Sequence, residues 1–320
     1  MPRFSIHHIT KYNYQNPVRD SANQIVLFPV KDEYQEVLRH ELHITGEPNL
    51  DIFVDYYGNE IGSFMHAEPH TELLIDSKLD VITRARPLPP DDISREDQWQ
   101  HLHAIRHQVP FIDFLRQELF HALHEVQDLE GIRRSREYTP LEAARRLNQY
   151  VYTHFKYIKG ITSVETMADE IWKIKAGVCQ DFAHILLVML RMIEIPARYV
   201  SGYICPNKAL LRGEGATHAW VEAYIPFYGW IGLDPTNNCM VEDLHVRLAV
   251  GRSFLDCSPV KGTYKGTSEN TLEVGVAVCY EDGRTSEGTA TILSSQTVKT
   301  DANQNSYRRF MEMQQQQQQQ

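Results

Sequence analysis

The chain has 320 residues, of which 42% are hydrophobic and 23% are charged, and its formal net charge is −10. This composition is ordinary for a globular protein of about two domains. The negative charge argues against a nucleic-acid or anionic-membrane partner, because both attract basic surfaces. No stretch has the pattern of a signal peptide or of a membrane-spanning helix, so we expect a cytoplasmic protein without a membrane partner.

Residues 1–84 are predicted to form a β-rich domain. The segments 37–45, 49–57 and 73–82 alternate or group β-branched and aromatic residues, and turn-forming residues separate them. About six or seven short antiparallel strands of this kind would form a small sandwich. We assign no chemistry to this domain, and we expect its histidines to face solvent: His7, His8, His40, His43, His66 and His70.

Residues 85–138 are predicted to be a linker followed by a helical region. The proline-rich segment 87–92 is stiff and polar, and the segments 94–108 and 111–127 have helical periodicity. His103 and His107 have the i,i+4 spacing of a metal-binding pair, but no matched third ligand accompanies them. We therefore predict a solvated helix face, with no metal and no cofactor.

Residues 139–300 are predicted to form the main core of the protein. Thr139 and Glu142 have the spacing of a capping box, and Pro140 stands at the first helical position between them. The helix that follows carries apolar residues at packing intervals. A shorter predicted helix then leads through Trp172 to a turn at Gly177.

The stretch 177–193 is the central feature of this core. Behind Cys179 comes a run that is apolar almost all the way round, so we predict a buried helix that ends before Pro196. A thiol at a helix start lies among unpaired N–H groups, and this setting favours the nucleophilic thiolate. The alternative is that Cys179 is a small packing residue. The five cysteines, at 179, 205, 239, 257 and 279, are an odd number without metal-type spacing, which favours reduced thiols.

Two strand-like segments, 216–225 and 229–236, follow the predicted helix and are joined by a turn. If the hairpin folds about Pro226, His218 lies opposite Asp234, because the two residues are equally distant from the turn. Directly opposed side chains share a face of the sheet and can hydrogen-bond. A slip of one residue would send the pair to opposite faces.

Three further segments complete the chain. The polar loop 206–215 precedes His218 and is expected to flank the site or cover it. Residues 271–280 are predicted to be one more strand. The segment 301–320 ends in a run of glutamines and is predicted to be a disordered tail, since its composition cannot form a core.

The motifs at 177–184, 195–203, 218–222 and 234–236 together resemble the bacterial transglutaminase-like family, often described as cysteine proteases of the papain-like superfamily. The resemblance covers residues 139–262, and residues 1–83 resemble the N-terminal region of similar proteins. It implies an α+β fold, with an N-terminal antiparallel β-sandwich and a papain-like core whose catalytic helix packs on an antiparallel sheet. It also implies roles for three residues: Cys179 as nucleophile, His218 as general base and Asp234 as the residue that orients the imidazole.

These residues predict acyl transfer on a peptide or protein substrate through a thioester. Water as acceptor would make the protein a cysteine peptidase or amidase, which is the preferred interpretation; an amine acceptor would make it a protein-glutamine transglutaminase. A non-catalytic binding module on the same fold is the third hypothesis. The N–H of Cys179 would hold the oxyanion. Trp172 or Tyr157 is a candidate second donor, but an ordinary place in the core is the preferred interpretation of both. Gln180 and Trp172 are predicted to line the substrate cleft, and Trp220 either lines it too or shields the imidazole from water.

Overall fold

A computed structural model describes residues 1–90, 92–163, 166–205, 212, 217–280 and the backbone of 294–296. The predicted loop 206–215, apart from Arg212, and the predicted tail 301–320 lie outside the described residues. The chain divides into two compact units. One unit holds Met1 and Thr83–Cys257, and the other holds Pro2–Ile82 together with the described residues after Cys257.

Strands come first and last along the chain, with most helices between them. The strands are β1 (Arg3–Ile25), β2 (Gln35–Ile44), β3 (Leu50–Val54), β4 (Glu60–His66), β5 (His70–Thr83), β6 (Lys156–Tyr157), β7 (Ala176–Gly177), β8 (Ala197–Ile204), β9 (Thr217–Ile225), β10 (Gly229–Asp234), β11 (Cys239–Met240), β12 (His245–Gly251), β13 (Val260–Lys265), β14 (Asn270–Tyr280) and β15 (Ser294–Gln296). The helices are α1 (Arg95–Ile105), α2 (Phe111–Leu115), α3 (Leu123–Gln127), α4 (Glu130–Arg133), α5 (Pro140–His154), α6 (Ala168–Ile174), α7 (Cys179–Met192) and α8 (Phe254–Cys257), with a 3-10 turn at Ser135–Glu137. Within the ranges described above, none of these helices is both long enough and apolar enough to cross a bilayer.

The unit built from both ends of the chain is one curled antiparallel sheet. Its first strand, β1, is long: the first half pairs with β5 and β14, and the second half pairs with β4 and β13. Among the residues that the structure describes, this sheet has eight strands, whereas the sequence predicts a sandwich of six or seven short strands. Alternate residues of β1 and β5 form the core of this unit, which includes Phe4, Ile6, Leu73, Ile75, Leu79 and Val81.

The strands β13 and β14 belong to this sheet, although their residues lie within the range 139–300 of the predicted core. Phe4 of β1, for example, lies between Val81 of β5 and Tyr280 of β14. Alternation along 271–280 correctly predicts a strand. It does not identify the partner of that strand, because pairing between distant segments leaves no local periodicity.

Two histidines of the same sheet correct a prediction. His8 and His70 were expected to face solvent, but they are 1% and 9% exposed. His8 belongs to the buried row of alternate residues in β1, and its ring nitrogen lies 3.3 Å from the hydroxyl of Thr10. Burial, with a smaller contribution from His7, lowers the pKa of His8 to about 4, so this imidazole is neutral near pH 7. The other four histidines are at least partly exposed.

The other unit contains the predicted central helix on an antiparallel sheet. Its five strands are ordered β11-β10-β9-β8-β12, and α7 packs against β8 and β9. The helix begins at Cys179 as predicted, and Phe182, Leu186 and Leu190 are completely buried in it. A short parallel pairing of β6 with β7 places Tyr157 beside Gly177, just ahead of the helix.

The helical region before this core is more broken than the sequence predicts. The expected helix at 111–127 is divided into α2 and α3, because Arg116 adopts an extended backbone conformation with ψ 121°. The Asp169 carboxylate accepts hydrogen bonds from the backbone N–H groups of His121 and Ala122, which stabilises the interruption. The side chains of His103 and His107 are exposed, in agreement with the predicted solvated face.

Thr139 caps α5, and its replacement by alanine is expected to lower the free energy of unfolding by about 1 kcal/mol. Its hydroxyl accepts a hydrogen bond from the Glu142 N–H at 3.3 Å, which satisfies one unpaired donor of the first turn. The Glu142 carboxylate pairs with Arg146 instead of completing the predicted capping box. Urea denaturation of Thr139→Ala and Thr139→Asn tests the cap: asparagine should retain most of the stability, and equal stability of the alanine variant would contradict the assignment.

Candidate active site

The position of Cys179 is defined by the turn that precedes it. The buried carboxylate of Asp181 accepts the N–H of Val178 at 2.7 Å and the hydroxyl of Thr162 at 2.6 Å. A Cβ atom on Gly177 would lie 2.3 Å from the same carboxylate, so only glycine allows the chain to pass so close. Burial raises the pKa of Asp181, and the two hydrogen bonds oppose this rise. Residue Cys179 itself is partly exposed.

The side chains of His218, on β9, and Asp234, on β10, are in contact in the same unit. Nε2 of His218 lies 2.8 Å from Oδ2 of Asp234, and both side chains are 0% exposed. The observed register pairs Gly229 with Ile225, so it differs by two residues from the register assumed for the hairpin. A two-residue shift keeps every side chain on its face, and a diagonal pair is still within reach. The predicted contact therefore forms although the predicted register was wrong.

The carboxylate of Asp234 accepts more hydrogen bonds than the sequence suggests. Oδ1 accepts the backbone N–H groups of Thr236 at 2.8 Å and of Asn237 at 3.2 Å. Oδ2 accepts the side-chain amide of Asn237 at 2.8 Å and lies 3.3 Å from Nε2 of a second histidine, His245. Burial by itself would raise the pKa of Asp234, but His218 and His245 hold it well below its usual range. Asp234 is therefore a buried anion near pH 7.

The thiol of Cys179 lies close enough to the His218 ring to affect the pKa of the imidazole. Burial lowers the pKa of His218, but the Asp234 carboxylate and then Cys179 raise it by more, to about 10. Because a carboxylate can only accept, Nε2 of His218 carries the proton that points to Asp234. Nδ1 is buried, and the structure shows no hydrogen-bond partner for it in the described part of the chain. The Cys179 sulfur is the neighbour with which Nδ1 can exchange a proton, and the raised pKa of His218 favours the form in which the ring holds that proton.

The predicted cleft residues have different positions. Trp220 is 0% exposed and lies beside both imidazoles, with its ring centroid 6.2 Å from that of His218, so it shields the site and does not line a cleft. Trp172 is 5% exposed and donates its Nε1–H to Glu125, so it is not available as an oxyanion donor. Gln180 is partly exposed in the first turn of α7, and its contact with substrate stays a prediction. Tyr157 is close enough to Cys179 for the thiol to contribute, after burial, to a raised tyrosine pKa.

Sequence reasoning missed two residues of this site, His245 and Asn237. Asn237 follows Asp234 in a turn, where local side-chain-to-backbone hydrogen bonds are common, so a turn analysis could have found it. His245 lies on β12, which pairs with β8, and nothing local in the sequence indicates its contact with Asp234.

His218, Asp234 and His245 are also the described residues that could hold a metal ion, because their ligand atoms lie within 4.8 Å of one another. Both imidazoles hydrogen-bond with the carboxylate.

The His218–Asp234 pair predicts a characteristic pH dependence of stability. His218 has a raised pKa in the folded chain, so its contribution is complete below about pH 6.5 and is lost as the pH rises towards about 10. Asp234 has a lowered pKa, so its contribution is lost as the pH falls below about 4. The free energies of unfolding of the wild type and of His218→Gln, measured by urea denaturation, should therefore differ most near pH 5 and much less near pH 10. A difference that does not change with pH would contradict the pairing.

Comparisons with known proteins bear on both units. The family model for the bacterial transglutaminase-like N-terminal region matches residues 4–82, and the model for the transglutaminase-like superfamily core matches residues 130–235. An uncharacterised protein of Mycobacterium leprae is 31% identical over 281 residues, which are 87% of this chain and 99% of that protein. A protein-glutamine gamma-glutamyltransferase of Pseudomonas aeruginosa is 28% identical over 156 residues, which are 47% of this chain and 21% of that enzyme.

Among solved structures, a proposed cysteine protease of Cytophaga hutchinsonii has the same fold. The similarity covers 92% of this chain and 98% of that one, with a TM-score of 0.68 and 22% sequence identity. The core match at 130–235 includes Cys179, His218 and Asp234 and ends before His245.

Proposed function

This chain belongs to the transglutaminase-like superfamily, and we propose that it transfers acyl groups from peptide or amide substrates through the thiol of Cys179. His218 is the proposed general base and acid, and Asp234 orients its ring. The observation that carries the proposal is the buried 2.8 Å contact between His218 and Asp234, with the Cys179 thiol beside the same ring. A nucleophile, a base and an orienting acid in contact are the parts that covalent acyl transfer requires.

The reactive form of the site arises when the thiol proton of Cys179 passes to Nδ1 of His218, because the raised pKa of His218 favours the imidazolium. The thiolate attacks the substrate carbonyl carbon, and the oxyanion that forms is stabilised by the backbone N–H of Cys179, which the start of α7 leaves unpaired. The carbon–nitrogen bond then breaks as His218 donates its proton to the departing amine, and a thioester remains. Asp234 stabilises the imidazolium that exists between these two proton transfers.

The acceptor that breaks the thioester determines the overall reaction. Water gives a carboxylic acid and makes the protein a peptidase or amidase, which is the activity we propose first. In that step His218 removes a proton from water and returns it to the departing thiolate. The similarity to the gamma-glutamyltransferase of Pseudomonas aeruginosa supports a second candidate, in which a primary amine replaces water and forms a new amide. The thioester is common to both reactions.

Mass spectrometry of the intact protein and of its products tests the proposal directly. The protein is incubated with a peptide library, with and without an added primary amine, and the reaction is quenched in acid to preserve thioesters. We expect an acyl adduct on the tryptic peptide that contains Cys179, and products that carry either water or the added amine. Protein alkylated beforehand with iodoacetamide is the control. Equal product from the alkylated protein would contradict thiol chemistry, and the absence of both adduct and product would favour the binding module.

A further inference from the structure

His245 is a second imidazole on the carboxylate of Asp234. Its Nε2 lies 3.3 Å from Oδ2 of Asp234, the same oxygen that His218 contacts at 2.8 Å. The side chain of His245 is 4% exposed, so this contact is made without competition from bulk water. His245 comes from β12, where it pairs with Ile204 of β8, and it thus approaches Asp234 from a different strand than His218 does.

The protons of this cluster follow from its acceptor. Asp234 is an anion and cannot donate, so the nitrogen that each imidazole directs at Oδ2 must carry hydrogen. Oδ2 then accepts from three side chains, those of His218, His245 and Asn237, while Oδ1 is held by two backbone N–H groups. Trp220 packs edge-on against the His245 ring at 5.2 Å between centroids and prevents it from turning away. The carboxylate is therefore fixed on all sides.

We propose that His245 is a positioning residue of the acyl-transfer site. It holds the Asp234 carboxylate in the orientation that keeps His218 Nδ1 directed at the thiol of Cys179. The proposal rests on the proposed function, because it assigns His245 a task in the proton transfer between Cys179 and His218. Without this donor Oδ2 is held by His218 and Asn237 alone, and a small displacement of that oxygen moves the imidazole that it orients relative to the sulfur.

The matched variants are His245→Leu and His245→Gln. Leucine fills similar space but cannot donate, whereas the amide N–H of glutamine can still reach the carboxylate. Misplacement of a catalytic group by about 1 Å lowers rates by about 100-fold. We expect His245→Leu to lower the rate of Cys179 alkylation by iodoacetamide by about 10- to 100-fold at pH 6.5. We expect His245→Gln to recover most of the wild-type rate.

The rate of alkylation is measured by mass spectrometry of the peptide that contains Cys179. EDTA is present so that no metal binds to His218, Asp234 and His245. His218→Ala gives the rate without the base, and His8→Leu controls for the loss of a buried histidine elsewhere. Melting temperatures identify variants that fail to fold. A wild-type rate equal to that of His218→Ala would overturn the proposed function and with it the role of His245. Two other results would overturn the His245 proposal alone, provided that the wild-type alkylation rate depends on His218. The first is an alkylation rate in His245→Leu that equals or exceeds the wild-type rate. The second is an equal loss of rate in His245→Leu and His245→Gln.

Discussion

Replacing Cys179 with alanine is expected to abolish thioester formation and to reduce product formation to the background rate. In enzymes that form acyl intermediates, removal of the nucleophile lowers the rate by about 10⁴- to 10⁶-fold. Alanine is preferred to serine because a hydroxyl beside His218 could retain weak nucleophilic activity. The side chain is partly exposed and small, so the fold should tolerate the change. The measurement is product formation by the variant and the wild type under identical conditions, together with the mass of the acyl adduct.

Cys239→Ala is the matched control for this experiment. Cys239 pairs with Asp234 across β10 and β11, so it is a second thiol close to the proposed site. Burial, together with the Asp234 charge, raises the pKa of Cys239 to about 12, which keeps it a neutral thiol near pH 7. Its removal should therefore leave the rate within about threefold of the wild type, since neutral thiols are poor nucleophiles. If Cys239→Ala loses all activity and Cys179→Ala retains it, the nucleophile is Cys239 and the proposed assignment to Cys179 is wrong.

Replacing Asp234 with asparagine is expected to lower the rate by about 10⁴-fold, as the same change does in the serine protease triad. The asparagine oxygen can still accept the N–H groups of Thr236 and Asn237, so the local backbone should remain in place. Its NH₂ group would then face Nε2 of His218. The imidazole would have to move its proton to Nδ1, and Nδ1 could no longer accept the proton of Cys179.

Two measurements separate this loss of function from a loss of structure. The pKa of His218, followed by NMR, should fall well below about 10 in Asp234→Asn, because the carboxylate is a main cause of its elevation. Asp234→Ala should lose stability as well as activity, since it also removes the acceptor for the two backbone N–H groups. If Asp234→Asn retains wild-type activity, the proposed role of Asp234 is wrong.

The sequence contains enough local information to predict the elements that carry Cys179, His218 and Asp234. The apolar run predicts a buried helix with Cys179 in its first turn, and the structure confirms both. The alternation around His218 and before Asp234 predicts two strands joined by a turn, which are β9 and β10. The contact between the two residues survives the wrong register because strand geometry repeats every two residues. The domain boundaries and the cytoplasmic location stay predictions.

Interactions between distant segments could not be predicted in the same way. Trp172 has a polar group near the expected site, but that group faces Glu125 in the fold. His8 has the same local pattern as exposed strand histidines, and only the other strands of the sheet bury it. The strand β14 is recognisable from its alternation, yet its partner is β1 at the opposite end of the chain.

The sequence by itself therefore determined the secondary structure around Cys179, His218 and Asp234 and the chemistry that these side chains offer, because periodicity and residue type are local properties. Only the tertiary structure decided which side chains surround Asp234, since His245 reaches it through the pairing of β12 with β8. The physical reason is that burial, and with it the protonation of an imidazole or a carboxylate, depends on atoms contributed by segments far apart in the chain.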